Sequence, residues 1–222
     1  MTTPASTCPI YQPWHNGLGD QWATINLLLK LAEVTGNKVF LSRLSNGQNL
    51  GELHDQIIPQ LRAPTSLLLS STEPGNTELD GFNVWATPFY PTRKVWDWKK
   101  KHGHYCYQFD GISAPDKNPS AAEQIKITDQ ILYQHHGLRL GKHYTVAQCV
   151  EYLAGASFFV GCDSGMSHIA HSVGVPVFLL QYGLPVVTCH RGKSYLLCEG
   201  ADDFHAKLTR WLGYRKFLGV GP

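Results

Sequence analysis

Several features that would point to particular classes of protein are absent from this sequence of 222 residues. Its six cysteines form no C-x-x-C pair, and five of them lie within apolar runs, where a thiol behaves as a small hydrophobic group. No stretch approaches the roughly 20 apolar residues of a membrane-spanning helix, and the first residues have neither the basic start nor the apolar segment of a signal peptide. We therefore expect a reduced, cytoplasmic protein without integral membrane association.

A large excess of positive or negative charge is also lacking. The formal net charge is +2 and the sequence pI is about 8.2, too mild to identify a nucleic-acid binder from the total alone. What the sequence does contain is 43% hydrophobic residues, together with 21 glycines and 13 prolines. This composition fits a globular α/β protein that can bury one large core or two small ones.

The order of predicted elements indicates two α/β domains. The first half alternates strand and helix, the pattern of a parallel sheet. Strands are predicted at residues 8–14, 38–42 and 66–70. One helix is predicted to follow the turn over residues 15–20 and to end at Gly36, and another to cover residues 50–61. A proline-containing, cation-rich stretch then interrupts the pattern. We accordingly predict an N-terminal domain over residues 1–90, a basic linker over residues 91–103 and a C-terminal domain over residues 104–222.

The second half repeats the alternation. A strand is predicted at residues 104–110, and Ser120 opens a helix to about residue 135 through a capping box with Glu123. Thr145 and Gln148 form another such box. Further strands are predicted around Phe158 and over residues 175–181, and a last helix begins near residue 202.

The stretch G-C-D-S-G-M-S-H, Gly161 to His168, stands where a buried strand turns into a helix. Small residues at such a turn let backbone N–H groups face a ligand, and the helix dipole adds about half a positive charge. The Ser164 and Ser167 hydroxyls can add hydrogen bonds. The pattern favours a phosphate site, although Asp163 or Ser164 could equally serve only to cap the helix.

Two further polar residues occupy similar positions. Lys117 follows the first strand of the second domain, and Asp20 lies in a strand-to-helix turn of the first. Ligands of open α/β folds bind at the carboxyl edge of the sheet, where such turns lie. The alternatives are that Asp20 caps its helix and that Lys117 is an ordinary surface lysine.

These residues carry a resemblance to a known family. The segment Y-T-V-A-Q-C-V-E-Y-L-A-G-A-S-F-F-V-G-C-D-S-G-M-S-H-I-A-H-S-V-G-V-P-V-F-L-L-Q-Y-G resembles the C-terminal signature of heptosyltransferase-like glycosyltransferases, family 9. The opening G-L-G-D, Gly17 to Asp20, is similar to that family's G-x-G-D. The resemblance implies a GT-B fold, in which two small Rossmann-like domains face each other across a cleft. The matching residues of the C-terminal pattern are Asp163, Ser164, Gly165, His168, Gly174 and Pro176.

The resemblance also implies a role for each matched residue. Asp20 would be the general base that takes the proton of the acceptor hydroxyl, and Lys117 would neutralise the departing nucleoside diphosphate. The reaction would be an inverting transfer from a nucleoside-diphosphate sugar, with no other cofactor and no metal, consistent with the lack of any D-x-D pair. The residues predicted to bind the donor are Gly19, Asp163, Ser164, Gly165, Met166, Ser167 and His168.

The sequence departs from the family in two respects. The chain is shorter than is usual, chiefly in the acceptor-side domain. Residues 134–141 replace the longer region that usually supplies a carboxylate to the donor ribose. The position of that carboxylate and the identity of the donor therefore stay open.

Other activities compete with this interpretation. A hydrolase is disfavoured because Ser164 lacks the G-x-S-x-G context. A zinc site at Cys162, His168 and His171 lacks the fuller set of ligands. A non-catalytic nucleotide-sugar-binding module or a sugar-nucleotide epimerase could share the fold, although binding alone does not require Asp20.

The acceptor has two candidates. The family implies a saccharide, whereas the basic segment 93–104 interleaves cations with Trp96 and Trp98, a pattern that suits a phosphate backbone and exposed bases. The chain could thus be a phage-type DNA glycosyltransferase acting on a hydroxymethylated base. The alternative is a solvated linker with packed tryptophans. The cations that would contact DNA are Arg93, Lys94, Lys99, Lys100 and Lys101.

Overall fold

The computed structural model describes residues 10–11, 17–42, 52–72, 89–93, 103–111, 115–182 and 195–217. The chain divides into two compact units, Met1–Tyr90 and Pro91–Pro222. Each unit contains its own parallel sheet with helices, so the α/β class and its Rossmann-like character are confirmed. The predicted domain limits stay a prediction, because most of the proposed linker 91–103 lies outside the described residues.

The first unit contains a parallel sheet whose described strands run in the order β1-β2-β3. Parallel neighbours need a crossover connection, and the described residues between successive strands include helical segments. The predicted second strand is confirmed, whereas the third begins two residues later than expected, after a 3₁₀ turn over Thr65–Leu67. The strands are β1 (Ile10–Tyr11), β2 (Val39–Ser42) and β3 (Leu68–Ser71).

Helix α1 (Leu18–Thr35) connects β1 to β2. Trp22, Ile25 and Leu29 recur at helical spacing and are fully buried, as the sequence pattern predicts. Gly36 ends the helix in the left-handed conformation at φ 67°, and its N–H donates to the Ala32 carbonyl at 2.9 Å.

The prediction of one continuous helix over residues 50–61 is wrong. The described chain forms a single π-helical turn, Leu53–Ile57, followed by a 3₁₀ turn, Ile58–Gln60. Pro59 explains the interruption, because it has no N–H to donate to the preceding turn. The apolar side chains of Leu53, Ile57 and Leu61 are nevertheless buried, since the inward spacing survives the change of helix type.

The second unit contains a parallel sheet whose described strands run in the order β5-β4-β6-β7-β8. Strands β5 and β8 were not predicted. Both lie at the edges of the sheet and are only partly buried, so their sequences lack a clear apolar signal. The strands are β4 (His104–Gln108), β5 (His136–Arg139), β6 (Phe159–Cys162), β7 (Val177–Leu180) and β8 (Tyr195–Cys198).

Four helices accompany this sheet in the described chain: α2 (Ala121–Ile125), α3 (Val146–Gly155), α4 (Gly165–Val173) and α5 (Ala201–Phe217). Helix α2 continues as a π-helical turn over Lys126–Ile131. The capping box of Thr145 and Gln148 is confirmed, because the side chain of each accepts from the backbone N–H of the other. None of the described helices is both long enough and apolar enough to cross a lipid bilayer.

The capping box expected at Ser120 is replaced by a longer-range contact. Ser120 Oγ accepts from the Glu123 N–H at 3.3 Å, as a cap should. The Glu123 carboxylate, however, accepts from the Tyr182 hydroxyl at 2.8 Å and from the Ala201 N–H at 2.9 Å. Glu123 thereby joins the start of α2 to the start of α5.

An aromatic core lies beneath α5 in the second unit. Phe178 contacts Phe158 and Phe204 edge to face, with ring centroids 5.5 and 5.3 Å apart. Such contacts add about 1 kcal/mol each beyond the area that they bury. This core fixes strands β6 and β7, and so fixes the edge of the sheet from which the polar loops leave.

Candidate functional site

The site lies where the strand order of the second unit reverses. The chain passes from β4 to β5 on one side of the sheet and then to β6 on the other side of β4. Loops that leave adjacent parallel strands in opposite directions open a crevice at the carboxyl edge. The loop after β4 carries Lys117, and the turn after β6 carries Asp163 and Ser164.

A largely buried ion pair joins these two loops. Lys117 Nζ donates to Asp163 Oδ2 at 2.8 Å, and the side chains are 15% and 4% exposed. His168 Nε2 lies 3.8 Å from the other oxygen, Asp163 Oδ1. The Asp163 carboxylate is therefore bounded by an ammonium and an imidazole, which compensate for the loss of its hydration.

The turn after β6 delivers the N-terminus of α4 to the same edge. Ser164 is the N-cap, with extended backbone angles, and its N–H donates to the Ser167 hydroxyl at 3.1 Å. The next N–H groups, beginning with those of Gly165 and Met166, belong to the first helical turn, whose amides have no acceptor within the helix. Together with the helix dipole they make this turn suitable for an anion.

Gln108, which the sequence analysis missed, connects β4 to this turn. It is the last residue of β4, and its Oε1 accepts from Ser164 Oγ at 2.7 Å. Its Nε2 donates to the Asp110 carbonyl at 3.2 Å. A glutamine at a strand end carries no motif, so only the parallel pairing of β4 with β6 could have indicated it.

Asn118 fixes the loop that carries Lys117. Its amide pairs with both backbone groups of Gly111, accepting from the N–H at 2.6 Å and donating to the carbonyl at 3.2 Å. The Cys162 thiol also donates to Asn118 Oδ1 at 3.5 Å. Burial raises the pKa of Cys162 to about 11, so the thiol keeps its proton at neutral pH and acts as a donor.

Gly161 allows β4 and β6 to approach closely at this point. A Cβ at Gly161 would lie 2.4 Å from the Gln108 carbonyl oxygen, which belongs to the neighbouring strand. No side chain fits there without separating the strands. The glycine thus holds Gln108 beside the turn that contains Ser164.

The other residues predicted to belong to the site lie in different units. Met166 and Ser167 are buried in the first turn of α4, close to the ion pair. Asp20 and Gly19 lie in the first turn of α1, in the first unit. The N-cap of α1 is Gly17, so Asp20 is half-buried at the third helical position and interacts with the helix dipole.

The competing activities find little support in this arrangement. The Ser164 hydroxyl donates to the Gln108 amide rather than to a histidine, so the described site contains no nucleophile activated in the manner of a serine hydrolase. No three His, Cys, Asp or Glu residues of the described chain are grouped to hold a metal ion. Of the five cations proposed to contact DNA, only Arg93 is described, and it is exposed; Lys94, Lys99, Lys100 and Lys101 lie outside the described residues.

Comparison with known families gives a match at this site. Residues 115–183 match the model of glycosyltransferase family 9 (heptosyltransferase), over less than half of the chain. The matched segment includes Lys117 and the turn from Asp163 to His168, but it does not reach Gly19 or Asp20. No curated protein matches the sequence. The match confirms the resemblance seen in the sequence: residues 115–183 are similar to glycosyltransferase family 9, which supports a glycosyltransferase.

Proposed function

We propose that the protein transfers a sugar, with inversion and without metal, from a nucleoside-diphosphate sugar to a hydroxyl of a saccharide. One observation carries this proposal: the buried pair of Lys117 and Asp163 lies beside the N-terminus of α4 at the switch point of the sheet. Both halves of that arrangement fall within the segment that matches family 9. We also infer that the two α/β units correspond to the two domains of a GT-B fold.

The diphosphate of the donor is held by positive groups that need no metal. Lys117 has three N–H donors, of which Asp163 accepts one, so the ammonium can donate the others to phosphate oxygens. The N–H groups of Gly165 and Met166 supply further donors at the positive end of α4. These groups suit the two negatively charged phosphates of the donor.

Asp163 and His168 act from beneath the ligand. Both side chains are 4% exposed, and the carboxylate faces Lys117 on one side and His168 on the other. A carboxylate in direct contact with a diphosphate would repel it. We infer that Asp163 orients Lys117 and balances its charge when the site is empty.

The reaction is a single displacement. Asp20, at the start of α1, accepts the proton of the acceptor hydroxyl while the hydroxyl oxygen attacks the anomeric carbon. The bond from that carbon to the phosphate oxygen breaks, and the leaving nucleoside diphosphate takes the electron pair. Lys117 and the α4 amides stabilise the developing charge, because they are already oriented before the reaction begins.

The first experiment is a thermal-shift screen with UDP, ADP, GDP, CDP and dTDP and their sugar derivatives. A ligand that binds the folded state raises the melting temperature, and a concentration of 100 times Kd adds about 2.7 kcal/mol. We expect one nucleotide series to produce a shift, and Lys117→Ala to remove it. Lys126→Ala is the matched control, because Lys126 forms a solvent-exposed pair with Asp202 in the same unit.

The outcomes of the screen separate the candidate functions. No shift with any nucleotide contradicts the proposal. A shift without transfer or hydrolysis of the donor identifies a nucleotide-sugar-binding module, and conversion of the sugar within the donor identifies an epimerase. Transfer with inversion, unchanged by EDTA, supports the proposed reaction.

The acceptor is tested by offering saccharides and a hydroxymethylated oligonucleotide side by side. We expect transfer to the saccharide. Binding to DNA would weaken steeply with salt, and its salt dependence would fall by about one unit for each phosphate-contacting lysine removed. Combined replacement of Lys99, Lys100 and Lys101 by alanine measures that change. Transfer to the oligonucleotide, lost in the triple variant, would replace the saccharide by DNA.

A further inference from the structure

We propose that Gln108 makes the Ser164 hydroxyl a hydrogen-bond acceptor, and that the group it accepts from is a hydroxyl of the donor rather than a phosphate. This inference rests on the proposed function and adds to it. It assigns Gln108 as a positioning residue. It also gives the Ser164 side chain a different role from that of the backbone amides, which hold the diphosphate.

The orientation of the Gln108 amide follows from its two partners. The Asp110 carbonyl can only accept, so the group 3.2 Å from it must be the Nε2 donor. Oε1 then faces Ser164 and can only accept in turn. The hydroxyl of Ser164 therefore donates its single proton to Gln108 Oε1, at 2.7 Å.

A hydroxyl in this state cannot bind a phosphate oxygen. Phosphate oxygens of a nucleoside diphosphate are acceptors, and Ser164 has no second proton to give them. Its N–H is also engaged, because it donates to Ser167 Oγ at 3.1 Å. As the N-cap of α4, Ser164 Oγ also accepts from the Ser167 N–H in a capping box. One lone pair is then left, and it suits an O–H donor, which a ribose or a transferred sugar supplies.

The backbone holds Gln108 in place. Gln108 pairs with Gly161 across β4 and β6, and any side chain at Gly161 would collide with the Gln108 carbonyl. The amide and the Ser164 hydroxyl therefore meet at a spacing set by the sheet. Such a preset hydrogen bond lowers the cost of orienting the hydroxyl when the donor binds.

The experiment measures Kd by calorimetry for a series of ligands: inorganic diphosphate, then UDP, ADP, GDP, CDP and dTDP, then their sugar derivatives. The variants are Ser164→Ala, Gln108→Met and the double variant. Gln134→Met is the matched control, because Gln134 is exposed and donates to the Tyr133 hydroxyl, before β5. Ser164→Thr keeps the hydroxyl and should therefore bind like the parent. If Ser164→Ala folds poorly, Gln108→Met alone tests the inference.

We expect both single variants to bind inorganic diphosphate within twofold of the parent. Binding should weaken by about 3- to 10-fold once the ligand carries the recognised hydroxyl, the usual effect of one hydrogen bond. A loss that begins with the nucleoside diphosphate identifies the ribose, and a loss that begins with the sugar derivative identifies the sugar. In the Ser164→Ala background, Gln108→Met should add no further loss.

Three results would overturn the inference while leaving the proposed function intact. They are an equal loss for inorganic diphosphate, no loss for any ligand, and losses that add in the double variant. If the parent bound none of the nucleotides, the proposed function and this inference would fail together.

Discussion

Asp20 and Asp163 both follow a strand and stand close to the start of a helix, yet their surroundings differ. Asp20 is half-buried in the first turn of α1, whereas the Asp163 side chain is 4% exposed and faces Lys117 and His168. Asp163 precedes the N-cap of α4, and Asp20 follows the N-cap of α1. The same residue type in similar turns therefore has two different environments.

This difference separates a candidate base from a counter-ion. A general base must reach the proton that it accepts, so it needs access to the ligand. The Asp163 carboxylate is 4% exposed and already accepts a hydrogen bond from Lys117, so it is poorly placed to reach a ligand hydroxyl. The comparison supports Asp20 as the candidate for proton transfer and Asp163 as the residue that holds Lys117.

The largest effect on stability is expected for Asp163→Asn. The variant leaves the Lys117 ammonium, whose side chain is 15% exposed, without its charged partner. Removing one member of a buried pair costs about 3 kcal/mol at the low end of the usual range. Chemical denaturation of Asp20→Asn provides the comparison, since a carboxylate in the first turn contributes about 1 kcal/mol or less. Equal losses in the two variants would contradict the distinction.

For Asp20→Asn, the large effect is expected on turnover. Loss of a general base lowers kcat by about 10²-fold or more, while donor affinity changes little. Asp55→Asn is the matched control, because Asp55 is an exposed carboxylate at the start of another helical turn in the same unit. Steady-state kinetics with the donor and acceptor test this prediction. Full activity of Asp20→Asn would show that the base lies elsewhere.

An intermediate effect, of opposite sign, is expected for Arg215→Met. Arg215 is 6% exposed, and neither of its terminal nitrogens has a hydrogen-bond partner within the described part of the chain. Burial lowers the pKa of this guanidinium, and its described contact is the Trp211 ring, 4.6 Å from Cζ. Methionine keeps the contact with the ring and removes an unpaired charge, so we expect the free energy of unfolding to rise by about 1 kcal/mol.

Arg215→Lys serves as the control for this variant, because it retains the charge and should not raise the melting temperature. A lower melting temperature for Arg215→Met would show that the guanidinium has a partner among the other residues. In that case Arg215 would resemble Lys117, a buried cation with its counter-ion.

The sequence predicted the parts of this structure that depend on local pattern. The i, i+3, i+7 spacing of Trp22, Ile25 and Leu29 identified α1, and Thr145 with Gln148 identified the start of α3. The family pattern located Lys117 and Asp163 but could not show that they form an ion pair, since 46 residues separate them. That contact depends on the order of the strands.

The contacts that the sequence did not predict depend on the tertiary structure alone. Gln108 meets Ser164 only because β4 lies next to β6, although 56 residues separate the two side chains. Glu123 was expected to face its own helix, but tertiary contacts direct it to Tyr182 and Ala201. Edge strands such as β8 have little apolar contrast, so periodicity did not reveal them.

The smallest effect is expected for Asp203→Asn, which removes a half-exposed pair and so contrasts with the more deeply buried pair of Asp163. Asp203 Oδ2 accepts from Lys207 Nζ at 2.6 Å and from the Glu199 N–H at 2.8 Å, and its side chain is 32% exposed. The hydrogen bond from Lys207 lowers the pKa of the Asp203 carboxyl. A lowered pKa stabilises the fold above the ordinary carboxyl pKa, and that stability is lost as the pH falls through the folded value. Solvent screens the pair, so Asp203→Asn should cost at most about 0.5 kcal/mol at neutral pH and nothing near pH 2. Urea denaturation at both pH values measures the difference, and a loss that persisted in acid would show that the Asp203 side chain contributes by packing rather than by charge.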